Sequence, residues 1–142
     1  YGDKIFFIDA DCVFDKPIPI DWFDEFLPDD IFVSFYDRPQ QYTETGFLAF
    51  NENKLISKAF FSYYLNLYKE DKVFELDNWT DCHTFDYTRR YYKDDIHYKE
   101  LSKGDGKNGH IMARDKNLNP YIDHRKGKRK EDEHSPEWRK NK

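Results

Sequence analysis

Apolar side chains fall into short blocks along this chain, and the period within a block predicts the element. Ile5-Phe6-Phe7-Ile8 is an unbroken apolar run that stops at Asp9-Ala10-Asp11, the pattern of a strand buried on both faces with acids at its carboxyl end. Residues 31–36 and 46–50 read as a second and a third strand, separated by a polar loop around Arg38-Pro39-Gln40-Gln41. Pro17 and Pro19 make 15–19 a loop, and Asp21 is the expected cap of one or two helical turns through Phe26. Over 54–69, Ile56, Ala59, Phe60, Tyr63 and Leu67 recur at three- and four-residue spacing, which predicts an amphipathic helix packed on the sheet. Residues 73–76 read as a brief extended piece, and Asp77 as the cap of a helix through Trp79, Phe85 and Arg89 to about Tyr92. Further on, Gly104, Gly106 and Gly109 mark a turn, 110–113 reads as a short strand, and 121–124 leads into the basic run 125–130. Buried parallel strands alternating with helices predict an α/β domain over 1–130, followed at 131–142 by a polar tail expected to fray.

Composition narrows the classes. The 142 residues suit one domain, and an aromatic content of 19% argues against disorder despite 36% charged residues. A net charge of -5 disfavours a nucleic-acid partner, because such domains carry a basic excess to neutralise phosphates. Cys12 and Cys82 show no CxxC spacing and make no disulfide framework, so a reducing, cytoplasmic setting is the expectation. No apolar run approaches the roughly 18 residues that a membrane span needs, and no leader pattern opens the chain. Tyr1, rather than Met, stands first with a strand pattern close behind, so an N-terminal truncation is expected.

Two constellations carry candidate chemistry. In an extended strand the side chains at i and i+2 point the same way, so Asp9 and Asp11 can present two hard oxygen donors together, suited to Mg2+ or Mn2+. On the order of two DxD triplets arise by chance in so acidic a chain, so it is the position after four apolar residues that gives this one weight. A solvated acidic strand end is the plain alternative. The second constellation is His124-x-x-Gly127-x-x-Lys130, in which an imidazole can complete a metal site, a glycine admits close backbone approach, and an ammonium neutralises a phosphate. Its plain alternative is a solvated basic tail with an incidental histidine.

Residues 5–14, 45–51, Trp79-Thr80-Asp81 and the HxxGxxK spacing resemble, in that order, the DxD-to-C-terminal part of GT-A glycosyltransferases, glycogenin and bacterial lipopolysaccharide galactosyltransferases above all. The resemblance implies a GT-A mixed sheet flanked by helices and an incomplete domain, since family members have a nucleotide-recognition region before the DxD strand. It assigns Mn2+ or Mg2+ to Asp9, Asp11 and His124, and the diphosphate of a nucleotide sugar to Gly127 and Lys130. Thr45 and Gly46 are then expected at the donor site. Glu44 and Asp81 are the candidate catalytic acids, to bind donor hydroxyls, orient the acceptor or act as base. The acceptor would be a glycan, lipid or protein, and the HxxGxxK clamp resembles that of retaining enzymes. Glu131-Asp132 stands where the family has Pro-Trp after the last lysine. Trp79 is a candidate for stacking on a sugar, with a core role as the alternative.

Residues 5–13 also look like the first motif of haloacid-dehalogenase-type phosphatases, with Asp9 as nucleophile and Ser34 as a second motif. That reading leaves His124, Gly127 and Lys130 without a task. A non-catalytic module that docks residues 125–130 on an acidic partner is the third alternative.

Overall fold

The computed structural model describes residues 3–38, 41–102 and 111–125. Within them lie β1 (Lys4–Ile8), β2 (Cys12–Phe14), α1 (Ile20–Phe26), β3 (Val33–Tyr36), β4 (Glu44–Asn51), α2 (Ser57–Lys69), α3 (Asp81–Tyr91), β5 (Tyr98–Glu100) and β6 (Ile122–His124), with single 3-10 turns at Lys72–Glu75 and Met112–Arg114. The main sheet has the order β1-β4-β3-β5. Strand β4 runs antiparallel to both β1 and β3, while β3 and β5 are parallel, so the sheet is mixed. A second sheet pairs β2 with β6, antiparallel.

Apolar residues that alternate along β3 and β4 feed two clusters, one on each face of the main sheet. Leu48 and Phe50 of β4 and Val33 and Phe35 of β3 join Phe60 of α2 and Phe85 of α3. Phe47, Ala49 and Tyr36 instead join Trp22 and Phe26 of α1, together with Ile111, Met112, Leu118 and Ile122. The stretch 111–124 therefore works as the cover of one sheet face, and its last residues form β6 on β2. Tyr36 anchors this cover: its hydroxyl donates to Asp115 Oδ2 at 2.8 Å. Burial, with the Asp115 carboxylate adding to it, pushes that hydroxyl well above the ordinary phenol range, which keeps it a donor.

Several expectations need correction. β1 is not a strand buried on both faces among parallel neighbours. It pairs antiparallel with β4, and Ile5 and Phe7 are 40% and 49% exposed. They face a groove of about 450 Å3 shared with Leu48, Phe50, Phe61 and Tyr64. An apolar run bounded by this groove on one face and by Phe23 and Trp22 against Phe6 on the other looks the same in sequence as a fully buried strand. The extended pieces expected at 73–76 and 110–113 give way to 3-10 turns at Lys72–Glu75 and Met112–Arg114, with His110 outside the described residues. Helix α3 starts at Asp81 behind Thr80 rather than behind Asp77, and α1 follows Pro19, with Asp21 in its first turn. Trp79 is 63% exposed, so it has no core role. The glycine turn at 104–109 and the tail at 131–142 lie outside the described residues. Among the described residues, no helix is long and apolar enough to cross a membrane.

Candidate metal site

The strand pattern stops at Ile8, and the acids that follow sit in a turn. Cys12 N–H donates to the Asp9 carbonyl at 3.0 Å, which closes residues 9–12 into a β-turn between β1 and β2. Asp9 and Asp11 are therefore brought together by a turn and not by strand alternation, which corrects the geometric expectation. The turn is tied at both ends. Asp9 N–H donates to the Gly46 carbonyl at 3.0 Å, and Arg125 N–H donates to the Asp11 carbonyl at 2.9 Å.

Strand β6 carries His124 to this turn from the far end of the described residues. Cys12 lies directly opposite His124 in the β2–β6 ladder, so their side chains leave the small sheet on the same side. The imidazole Nε2 lies 3.0 Å from Asp11 Oδ1 and 3.9 Å from Asp9 Oδ2. The His124 side chain is 3% exposed, Asp11 12% and Asp9 43%, so the cluster runs from the interior outwards to solvent. Ligand atoms of Asp11, Cys12 and His124 all lie within 4.8 Å of one another. One nitrogen, one sulfur and carboxylate oxygens gathered at one edge of the sheet can hold a divalent cation.

Strand β4 supplies the floor. Its register with β3 slips, so Phe35 faces Leu48 but Tyr36 faces Glu44, and Thr45, Gly46 and Phe47 have no partner on β3. Such bulges re-aim side chains. A Cβ on Gly46 would meet Glu44 Oε1, His124 Cε1 and Met112 Sδ, each at 3.0 Å. Glu44 Oε1 and the imidazole thus flank one point and stand no further apart than twice that distance. Glu44 is 7% exposed. Its Oε1 accepts from Gly46 N–H at 3.2 Å and its Oε2 from Arg38 Nη1 at 3.2 Å. Because three neighbours already crowd the missing Cβ, Gly46→Ala is expected to cost about 1–3 kcal/mol in a thermal or urea melt. A melt that matches the parent would show that the ring and carboxylate are free to move aside.

Asp81 and Thr45 are placed together elsewhere. Thr45 Oγ1 donates to Asp81 Oδ2 at 2.5 Å, and both residues line the groove beside Ile5, Phe7 and Leu48. The structure thus gathers Asp9, Asp11, His124, Glu44 and Gly46, and sets Asp81 and Thr45 in the groove wall. Gly127 and Lys130 lie outside the described residues. Sequence reasoning passed over Cys12 and Arg38. The signal for Cys12 is its place directly after Asp11, whereas Arg38 looks in sequence like any polar loop residue. Compared with models of known protein families, with curated proteins and with solved structures, this chain matches none.

Proposed function

We propose that the chain is the metal- and donor-binding part of a GT-A-type glycosyltransferase, moving a sugar from a nucleotide diphosphate donor to a glycan, lipid or protein acceptor. The observation that carries this reading is the meeting of His124 Nε2 with Asp11 Oδ1 at 3.0 Å and Asp9 Oδ2 at 3.9 Å, from opposite ends of the described chain. Two carboxylates and an imidazole fit Mn2+ or Mg2+ by donor chemistry. A bound divalent cation would hold the donor diphosphate and offset the charge that builds on the departing nucleotide. The chain's own contribution is to hold its donors in place: the turn at 9–12 fixes both acids, and the β2–β6 ladder fixes the imidazole. Of the two acids that the resemblance puts near the sugar, Glu44 is the better placed, because it stands beside His124 and is steadied by Arg38. The mixed sheet with helices packed on it agrees with this reading at the level of architecture. The phosphatase alternative gives His124 no task.

A thermal-shift series with Mn2+ and a panel of nucleoside diphosphates tests the proposal. One diphosphate should raise the melting temperature in the presence of Mn2+, and EDTA should remove the rise. At a hundred times the dissociation constant the stabilisation is about 2.7 kcal/mol, or roughly 9 °C for a domain of this size. If no diphosphate moves the transition in Mn2+, the donor-binding reading falls.

A further inference from the structure

We infer that Cys12 is a further protein ligand of the cation held by Asp11 and His124, and that it turns the site towards thiophilic borderline ions such as Co2+ and Zn2+ over Mg2+. The inference rests on the proposed metal-bound donor site and adds a ligand to it. Cys12 sits opposite His124 in the ladder, on the same side of the small sheet, and directly follows Asp11 in sequence. Among the described residues Asp11, Cys12 and His124 form the trio whose ligand atoms all come within 4.8 Å of one another, and Asp9 stands outside that trio on the solvent side, 3.9 Å from the imidazole. Ligand atoms around a four-coordinate ion with metal–nitrogen and metal–sulfur bonds of about 2.0–2.3 Å lie roughly 3.3–3.8 Å apart. The three groups, within 4.8 Å of one another, are therefore at most about an ångström wider than a closed site. Rotation about the Cα–Cβ bond of Cys12 moves its sulfur further than that. The residue is half-buried and packs at the margin of the core cluster, between the interior and the acids of the turn.

The chemistry separates a carboxylate–imidazole site from one that also holds sulfur. Oxygen donors alone suit Mg2+, whereas a thiolate adds most to ions late in the first transition row. Binding replaces the thiol proton by the metal, so one proton is released to solvent for each ion bound and no electron is transferred.

Titration of the full chain with Co2+, followed by absorbance, tests this. Coordination by Cys12 adds a thiolate-to-cobalt charge-transfer band in the near ultraviolet to the visible d–d bands. That band should survive Cys82→Ser, vanish in Cys12→Ser, and be accompanied in the latter by about a tenfold or greater loss of Co2+ affinity with little change for Mg2+. Should Cys12→Ser not fold, the Cys82→Ser protein supplies a second reading: Co2+ or Zn2+ should slow alkylation of Cys12 by iodoacetamide, and Mg2+ should not. If Co2+ binds in an Asp11-dependent way but shows no charge-transfer band, or a band that persists in Cys12→Ser, then Cys12 is not a ligand and the metal centre stands. If no Co2+ binds at all, both proposals fall. If the thiolate band is present but no nucleoside diphosphate stabilises the chain, the ligand assignment stands and the transferase reading falls.

Discussion

His124→Ala is expected to abolish divalent-ion-dependent binding of nucleoside diphosphates, a loss of at least about a hundredfold in affinity by calorimetric titration in Mn2+. The ring is the interior member of the cluster, 3% exposed, with Gly46 packed against its Cε1 and Asp11 against its Nε2. No other imidazole lies in the described cluster. Removal of a buried ring also costs stability, on the order of 2–4 kcal/mol from the cavity, so the variant alone does not separate lost binding from lost fold. Asp9→Asn separates them. Its carboxylate is 43% exposed, so the substitution should leave the melt within about 0.5 kcal/mol of the parent while it removes an anionic donor from the same site. Loss of binding in both variants, with the fold of Asp9→Asn intact, is the expected pair of results. Parent-like Mn2+-dependent affinity in both would mean that the acids and the imidazole meet for structural reasons only.

How much of this was legible beforehand depended on whether a local pattern had one structural meaning. The second and third strands and the helix at 54–69 were legible, because short apolar runs bounded by polar loops point to strands and three-to-four spacing points to a helix. They emerge as Val33–Tyr36, Glu44–Asn51 and Ser57–Lys69. The direction of pairing was not, since Ile5 to Ile8 reads the same whether β4 runs with it or against it. Strands β2, β5 and β6, three residues each, lie below the length at which alternation is a signal, and they exist only because distant partners pair with them. The site was legible in its residue types. Its geometry was not: the two acids share a turn, and the bulge at Thr45–Gly46–Phe47 sends Gly46 towards His124 while Thr45 meets Asp81. A bulge is set by the ladder on either side of it, which no local window contains.

The largest stability effect is expected away from the candidate site, at Asp86. This carboxylate is 2% exposed in α3 and accepts from Thr43 N–H at 3.2 Å, Thr43 Oγ1 at 2.6 Å and Arg89 Nε at 2.6 Å. Arg89 in turn reaches Asp37 at 3.1 Å and lies 4.7 Å over the Phe35 ring. Asp86→Ala would strand two donors on Thr43, a residue with no exposed surface, and leave the guanidinium with one partner at the edge of the core. Breaking a buried pair from one side costs about 3–5 kcal/mol, a large part of the 5–15 kcal/mol that holds a domain together. Urea unfolding should show this as a lowered midpoint with an unchanged slope. Asp86→Leu combined with Arg89→Leu should recover part of the loss, because no unpaired buried charge remains. A midpoint for Asp86→Ala equivalent to less than about 1 kcal/mol of destabilisation would show that the network is solvated and carries little. The consequence reaches the candidate site through one peptide bond. Thr43 precedes Glu44, and Arg38 grips both the Thr43 carbonyl at 3.2 Å and the Glu44 carboxylate at 3.2 Å. Asp86 thus fixes the start of β4 to α3, and with it the position of Glu44 beside Gly46 and His124. Asp86→Ala should therefore also weaken Mn2+-dependent diphosphate binding under conditions where the variant remains folded, whereas a purely stabilising role would leave that affinity unchanged.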